Sequence, residues 1–460
     1  MTPRIALFGG SFNPPGHYHV RIAEELRKHF DLVLVVPCGP RPYRPTTNAI
    51  DAVHRATMVD TAFRGMSRVD VDLFDLERPV FTRNHLLEER FRDRGELWHV
   101  VSAEFVRGGA HGESVIHRTW QHGPELFDTL RFAVVVGSGD APDEADLPPH
   151  HRLLHVDTAD ESFTLRERVF RGDPVSGLVP DTVLAYIDRY GLYRGTVPSR
   201  ATRLDLSEPR FLIMVDERNE RAMNMSRQFE PFENRENPNC ILVIGGDGSM
   251  LHAIQQHWRR RLPFFGVNAG HVGFLLNDPT EVLDGEFSPS SLILRQMPLL
   301  HVEMQAKDGT WKTGLTFNDA WMERSTGQTA WLRVSISDRV RLPKLVCDGL
   351  LVATPAGSTA YARSMGATPL LADTPAWLVV GSNVAHPSHW KSALLSEDSI
   401  IEVHNLDPDK RPTFGYLHGV SHGEVLCMRS RLSSVAAVEL AFVSDHDMAE
   451  KIAAIQFPPE

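Results

Sequence analysis

Two stretches in this chain each end an apolar run in glycines and then open a helix-like pattern. The first is "LFGGSFNPPGHYH", Leu7 to His19; the second is "CILVIGGDGSMLHAI", Cys240 to Ile254. A strand that stops at glycine, followed by a helix, aims free backbone N–H groups and a helix dipole at the turn. That arrangement favours an anion, and glycine lets the backbone approach it closely. Two such turns more than half a chain apart predict two nucleotide-type α/β units. The length of 460 residues also exceeds one ordinary core.

The pattern between the turns agrees. "RIALF" and "DLVLVVP" are continuous apolar runs, and "HVRIAEELRKHF" sets Ile22, Leu26 and Phe30 four apart on one helical face. Buried runs joined by a helix predict parallel strands covered on both faces. "LWHVV" and "LRFAVVVG" extend the sheet, and "SGLVPDTVLAYIDRYGLY" reads as a closing helix with a cap at Gly191. The polar, proline-bearing stretch around Thr196 to Thr202 lacks periodicity and is the expected boundary. Beyond it "RFLIMVD", "CILVIGG" and "LPFFGVNAG" start a second α/β unit. From about Leu292 short, half-alternating segments predict a β-rich layer behind it.

Composition excludes several classes. The net charge of −11 disfavours a nucleic-acid backbone as partner, so any anionic ligand needs local groups. No run reaches the roughly 18 uncharged apolar residues of a membrane span, and no signal-peptide pattern opens the sequence. Cys38, Cys240, Cys347 and Cys427 are far apart, which argues against a zinc knuckle or a disulfide framework. These features predict a cytoplasmic protein.

The first turn fits neither GxGxxG nor GxxxxGK[ST]. Gly10, Ser11, Phe12, Asn13 and Pro14, with His19 at the helix start, resemble the "G-[ST]-F-[ND]-P" and (T/H)xxH motifs of nicotinamide/nicotinate mononucleotide adenylyltransferases. Arg44 and the "HRATM" run, Thr82 in "PVFTRNHL", "HVVSAE" with Trp120 beyond it, and "ESFTLRERVFRG" resemble further family segments. The resemblance implies His19 as the catalytic contact to the ATP phosphates. It implies Gly10, Ser11, Phe12, Ser162 and Arg166 as ATP-binding, and Asn13, Thr82 and Trp120 as mononucleotide-binding. The chain departs from the family at Gly16, Ser102, Glu104 and Phe163. At Gly16 one phosphate contact is missing.

In the second turn Asp247 sits inside the phosphate cradle. A carboxylate there repels phosphate unless it holds Mg²⁺ or accepts a proton from an attacking hydroxyl. GGDG alone is shared by NAD kinases, lipid kinases and, more loosely, phosphofructokinases. "NAGHVGFL", "FNDAW" and "DGLLVATPAGSTAYARSMG" resemble NAD kinase motifs in order, over about residues 205 to 455. That resemblance implies Asp247 as catalytic, and Gly246, Gly248, Asn318, Asp319, Asp348, Thr359, Ala360, Tyr361 and Ser364 as NAD-binding. Small residues pack a ribose and pyrophosphate, Tyr361 offers a flat face, and the carboxylates accept ligand hydrogen bonds.

The resemblances together imply a Rossmann-like nucleotidyltransferase domain over 1–195 and an NAD-kinase-like domain over 205–460. They imply adenylyl transfer from ATP to nicotinamide mononucleotide (NMN), then 2′-phosphorylation of NAD. Mg²⁺ and ATP are the expected cofactor and co-substrate. The nicotinate mononucleotide and a polyphosphate donor stay open as variants. The expected partners are small nucleotides, with no nucleic acid or membrane, and a second copy of the chain through the kinase domain. The alternative is an NAD kinase whose N-terminal half only senses nucleotide.

Overall fold

The computed structural model describes residues 2–42, 50–137, 141–156, 162–270, 272–283, 292–372, 374–443, 446 and 448–457. Arg44 lies outside this set. The chain forms two compact units, Met1–Pro198 and Ser199–Glu460.

In the first unit the continuous apolar runs become six parallel strands, β1 (Arg4–Gly10), β2 (Leu32–Pro37), β3 (Val69–Val71), β4 (Glu96–Ser102), β5 (Phe132–Val136) and β6 (His151–His155). Their order is β3-β2-β1-β4-β5-β6, all pairings being parallel. Helices α1 (His17–His29), α2 (Ala52–Phe63), α3 (Asn84–Phe91), α4 (Val115–Thr119), α5 (Gly123–Thr129), α6 (Ser162–Arg171) and α7 (Asp181–Tyr190) accompany them. Ile22, Leu26 and Phe30 are buried as the spacing requires, and Gly191 caps α7 with φ 59°. Strand order reverses between β1 and β4, so their carboxyl ends frame a switch-point crevice of the doubly wound kind.

The second unit opens with β7 (Ala201–Leu204), inside the segment expected to be a linker. It pairs antiparallel with β11 (Leu292–Ala306), so this unit's sheet begins a few residues before the expected residue 205. Strand β8 (Phe211–Val215), helix α8 (Glu220–Ser226), strand β9 (Cys240–Gly245), helix α9 (Asp247–His257), strand β10 (Phe264–Asn268) and helix α10 (Pro279–Leu283) form the α/β front, with β8, β9 and β10 parallel.

Antiparallel strands follow: β12 (Trp311–Thr316), β13 (Asp319–Arg324), β14 (Ala330–Ile336), β15 (Arg339–Cys347) and β16 (Gly349–Ala353). After the short α11 (Tyr361–Ser364) come β17 (Ala376–Ser382), β18 (Ser392–Ser396), β19 (Ile401–Asn405), β20 (Thr413–Leu417) and β21 (Val420–Val443), then α12 (Met448–Gln456). The long β21 joins the two layers, pairing with β10 on one stretch and with β19 and β20 on others. The β-rich layer closes on Leu332, Leu350, Trp377 and Met428, all fully buried. His418 and Gly419, both at positive φ, form the two-residue turn between β20 and β21. His418 therefore answers a backbone demand, the same one that a "DG" pair meets.

Candidate functional site

The loop after β1 is held from several sides. Arg55 of α2, only 1% exposed, donates from Nη2 to the Ser11 carbonyl (2.6 Å) and the Cys38 carbonyl (2.7 Å). Arg166 of α6 donates to the Asn13 carbonyl at 2.5 Å, and the Tyr193 hydroxyl donates to Asn13 Oδ1 at 2.5 Å. Phe12 has φ 42° and is fully buried, with its ring edge-on to Phe8 and Phe63. A Cβ at Gly10 would touch the Phe12 ring at 3.0 Å, so this glycine makes room for the phenyl anchor.

His19 lies in the first turn of α1. Its Nδ1 accepts the Gly16 N–H at 3.0 Å, which leaves the ring proton on Nε2. Burial lowers its pKa to about 3, so the imidazole is a neutral donor. A side chain at Gly16 would meet the Tyr18 ring at 3.0 Å and the Leu178 carbonyl at 3.1 Å, so Tyr18 takes the space beside the missing contact. Ser102, the last residue of β4, and Glu104 just beyond it are exposed and bonded to each other at 3.3 Å.

Other predicted residues here have partners within the protein. Thr82 donates its hydroxyl to Asp75 Oδ1 at 2.5 Å, while Asp75 Oδ2 accepts the Gly39 N–H at 2.7 Å. Thr82 thus ties the chain end of β2 to the loop before α3. Trp120 caps α4 and packs half-buried near Phe105 and Phe132. Ser162 opens α6, and its side chain lies outside the described set.

In the second unit Gly246 is the N-cap of α9, and both Gly246 and Gly248 face open space where a Cβ would be. Asp247 accepts the Phe274 N–H through Oδ2 (3.0 Å) and the Leu275 N–H through Oδ1 (2.9 Å). The carboxylate therefore fastens the "GFL" loop to the phosphate-type turn. Lys451 of α12, unnoticed in the sequence, grips the same loop through the Gly273 and Leu276 carbonyls (3.2 Å each) and Asp278 (3.3 Å). Phe274, Leu275, Ala356, Thr359, Met448 and Ile452 line one small apolar cavity, which brings that loop against the "PAGST" turn.

The pairing of β13 with β16 sets Asp319 opposite Ala353 and so joins "ND" to "TPAGSTAY". Gly357 seats the turn on Asn318: a Cβ there would lie 2.2 Å from the Asn318 carbonyl. Thr359 Oγ1 donates back to the Ala356 carbonyl at 3.2 Å, and Ala360 links this turn to α11, where Ser364 is exposed. Asn318 Oδ1 is buried without a partner among the described residues. Asp319 is 8% exposed, and burial raises its pKa to about 6. Alternation puts Asp319, Trp321 and Glu323 on one face of β13. Tyr361 stands edge-on to Trp321 at 5.4 Å, Tyr416 stacks on Trp321 at 4.9 Å, and the Trp321 indole N–H is buried without a partner among the described residues. Trp321 was not singled out from the sequence, because only its packing sets it between Tyr361 and Tyr416.

Asp348 falls outside this constellation. It precedes β16 at the end opposite Asp319, roughly 17 Å away at ~3.4 Å per residue. There it pairs with Arg324 Nε at 2.8 Å and accepts from Asn383 at 2.8 Å. The resemblance implies it as NAD-binding beside Thr359 and Tyr361; within this unit the extended β16 separates them.

Two α/β units, each with a glycine turn feeding a helix and polar groups converging there, define a pair of nucleotide-type sites. A cytidylyltransferase-like family profile matches residues 7–168, and one for the ATP-NAD kinase N-terminal domain matches residues 199–282. An NAD kinase of Zymomonas mobilis is 34% identical over 239 residues, covering 50% of this chain and 88% of its own. One of Rickettsia felis is 34% identical over 226 residues, covering 48% and 87%. The crystal structure of yeast NADH kinase complexed with NADH aligns with TM-score 0.43 and 17% identity over 52% of this chain and 77% of its own. This chain belongs to the NAD kinase family, and it carries that domain fused behind a cytidylyltransferase-like one resembling NMN adenylyltransferases.

Proposed function

We propose that the chain carries out two consecutive steps, adenylyl transfer from ATP to NMN giving NAD and pyrophosphate, then 2′-phosphorylation of NAD. The observation that carries the kinase step is the orphaned, buried Asn318 Oδ1 beside the Asp319 carboxyl, in a unit belonging to the NAD kinase family. An acceptor with no partner among the described residues suits an adenine amino group, and an ionised Asp319 suits ribose hydroxyls. Asp247 keeps further lone pairs on each oxygen after its two backbone bonds, which supports its reading as the acceptor of the 2′-hydroxyl proton. The remaining lone pairs also fit a divalent cation: Mg²⁺ takes one or two carboxylates plus substrate phosphates. When bound it would neutralise charge on the transferring phosphoryl group.

In the first unit the neutral His19 donates from Nε2–H to charge developing on the ATP phosphates, in a loop held by Arg55 and Arg166. The fusion favours NMN over its nicotinate analogue, because only NMN yields NAD directly for the second site. The occupied space beside Gly16 and the exposed Ser102–Glu104 pair favour a second reading, in which this unit senses nucleotide. Incubating the purified chain with ATP, Mg²⁺ and each mononucleotide, and separating products by chromatography, distinguishes them. NAD followed by NADP from NMN is expected. NADP formed from added NAD, with no dinucleotide from either mononucleotide, would establish the sensor.

A further inference from the structure

We propose that Glu402, His404 and Cys427 form a site for a borderline-soft divalent cation of the Zn²⁺ class, away from the nucleotide site. The three arise from sheet geometry. Glu402 and His404 are two apart on β19, so they share one face. Cys427 on β21 is the direct cross-strand partner of His404, and Arg429 is that of Glu402. The three ligand atoms all lie within 4.8 Å of one another.

The spacing is close to that of an occupied site. His404 Nε2 is 3.7 Å from Cys427 Sγ and 2.7 Å from Glu402 Oε1. Tetrahedral zinc, with Zn–N of about 2.0–2.1 Å and Zn–S of about 2.3 Å, sets N and S about 3.6 Å apart. The nitrogen and sulfur are therefore already placed, and only the Glu402 contact must open, by roughly 0.6 Å. One imidazole nitrogen faces both other ligands, so a cation between them replaces the hydrogen bonds it now makes.

The other Glu402 oxygen is anchored. Arg429 donates to Oε2 from Nε (3.0 Å) and Nη2 (2.5 Å), which leaves Oε1 for the ion. Arg429 is also paired with Glu303 at 3.6 Å, so its charge is compensated on both sides. Arg333, opposite His404 on β14, is the further cation facing the site. Glu402 and His404 are each part-exposed, giving solvent entry, while Cys427 lies buried beneath them. On binding, the Cys427 thiol gives its proton to solvent and the thiolate becomes the ligand. Sulfur and imidazole donors select zinc-like ions over Mg²⁺. Bound metal would staple β19 to β21, with a fourth position for water.

The test is Co²⁺ titration of the full chain after chelator dialysis. One equivalent should give tetrahedral visible bands with a thiolate-to-cobalt charge-transfer band, bleached by Zn²⁺ and untouched by Mg²⁺. Cys427→Ser should abolish the charge-transfer band. His404→Gln, at a half-exposed position that leaves the sheet intact, should weaken Co²⁺ binding by at least about tenfold, as even outer-sphere changes can. Absence of the band, or its survival in both variants, overturns the proposal; survival would assign it to Cys38, Cys240 or Cys347.

Discussion

In the proposed role Asp319 accepts hydrogen bonds from ribose hydroxyls with both oxygens only when ionised, yet burial favours its neutral form and raises its pKa to about 6. The two consequences have opposite signs. In the ligand-free protein the folded state holds this proton more tightly than the unfolded chain does. Its contribution to stability therefore falls as pH rises from about 4 to about 6, by about 3 kcal/mol at ~1.4 kcal/mol per pH unit. Nucleotide affinity follows the ionised form and weakens as pH falls through about 6. The expected result is a KM for NAD that rises steeply below pH 6, while Asp319→Asn gives a high KM with a flat profile. Steady-state kinetics across pH 5–8 check this; an unchanged acid limb in Asp319→Asn would assign it to another group.

At the scale of elements, the "GFL" loop has two independent fastenings, Asp247 on α9 and Lys451 on α12. Lys451→Met removes the second without touching the carboxylate. It leaves two carbonyls without this donor, a loss of about 1–3 kcal/mol if they stay buried. The expected outcome is a severalfold higher KM for NAD with kcat within a few-fold of the parent. Asp247→Asn also loses one loop bond, since an amide has a single acceptor oxygen. Its kcat should nevertheless fall on the order of 10²-fold or more if the carboxylate takes the 2′-hydroxyl proton. Equal kinetic effects of the two variants would make Asp247 a positioning residue.

This pair also marks what the sequence can reveal. Glycine turns and apolar runs are local, so β1, β2, β4, β5, β8, β9 and β10, α1 and the Gly191 cap were legible from spacing alone. Strand β7, at the end of the expected boundary stretch, was not legible because it exists only through its pairing with β11, some ninety residues on. Arg55 and Lys451 grip backbone carbonyls from distant elements, and nothing in their own neighbourhood announces that. Asp348 lies apart from Thr359 and Tyr361 because the extended β16 stands between them.

Considered whole, the chain sets two glycine turns, each proposed to hold phosphate, in a molecule with a net charge of −11, so in that reading each unit holds its anions by its own groups. In the first unit these are the His19 Nε2–H, the N-terminus of α1 and the loop set by Arg55 and Arg166; in the second, the N-terminus of α9. No donor of one set is in the other, which makes the two proposed activities separable by single substitutions. His19→Ala removes the ring proton donor and frees the Gly16 N–H, which the first turn of α1 can expose to solvent or ligand. Losing one donor to developing charge lowers turnover by on the order of 10²–10³. Dinucleotide formation from NMN and ATP should fall by that factor, while phosphorylation of added NAD keeps its kcat and KM. Chromatography of the products of both assays, run on the same preparation, checks this. Unchanged dinucleotide synthesis would remove His19 from the chemistry. A parallel fall in NAD phosphorylation would mean that the first unit acts on the second, and the sensor reading would then be the one to pursue.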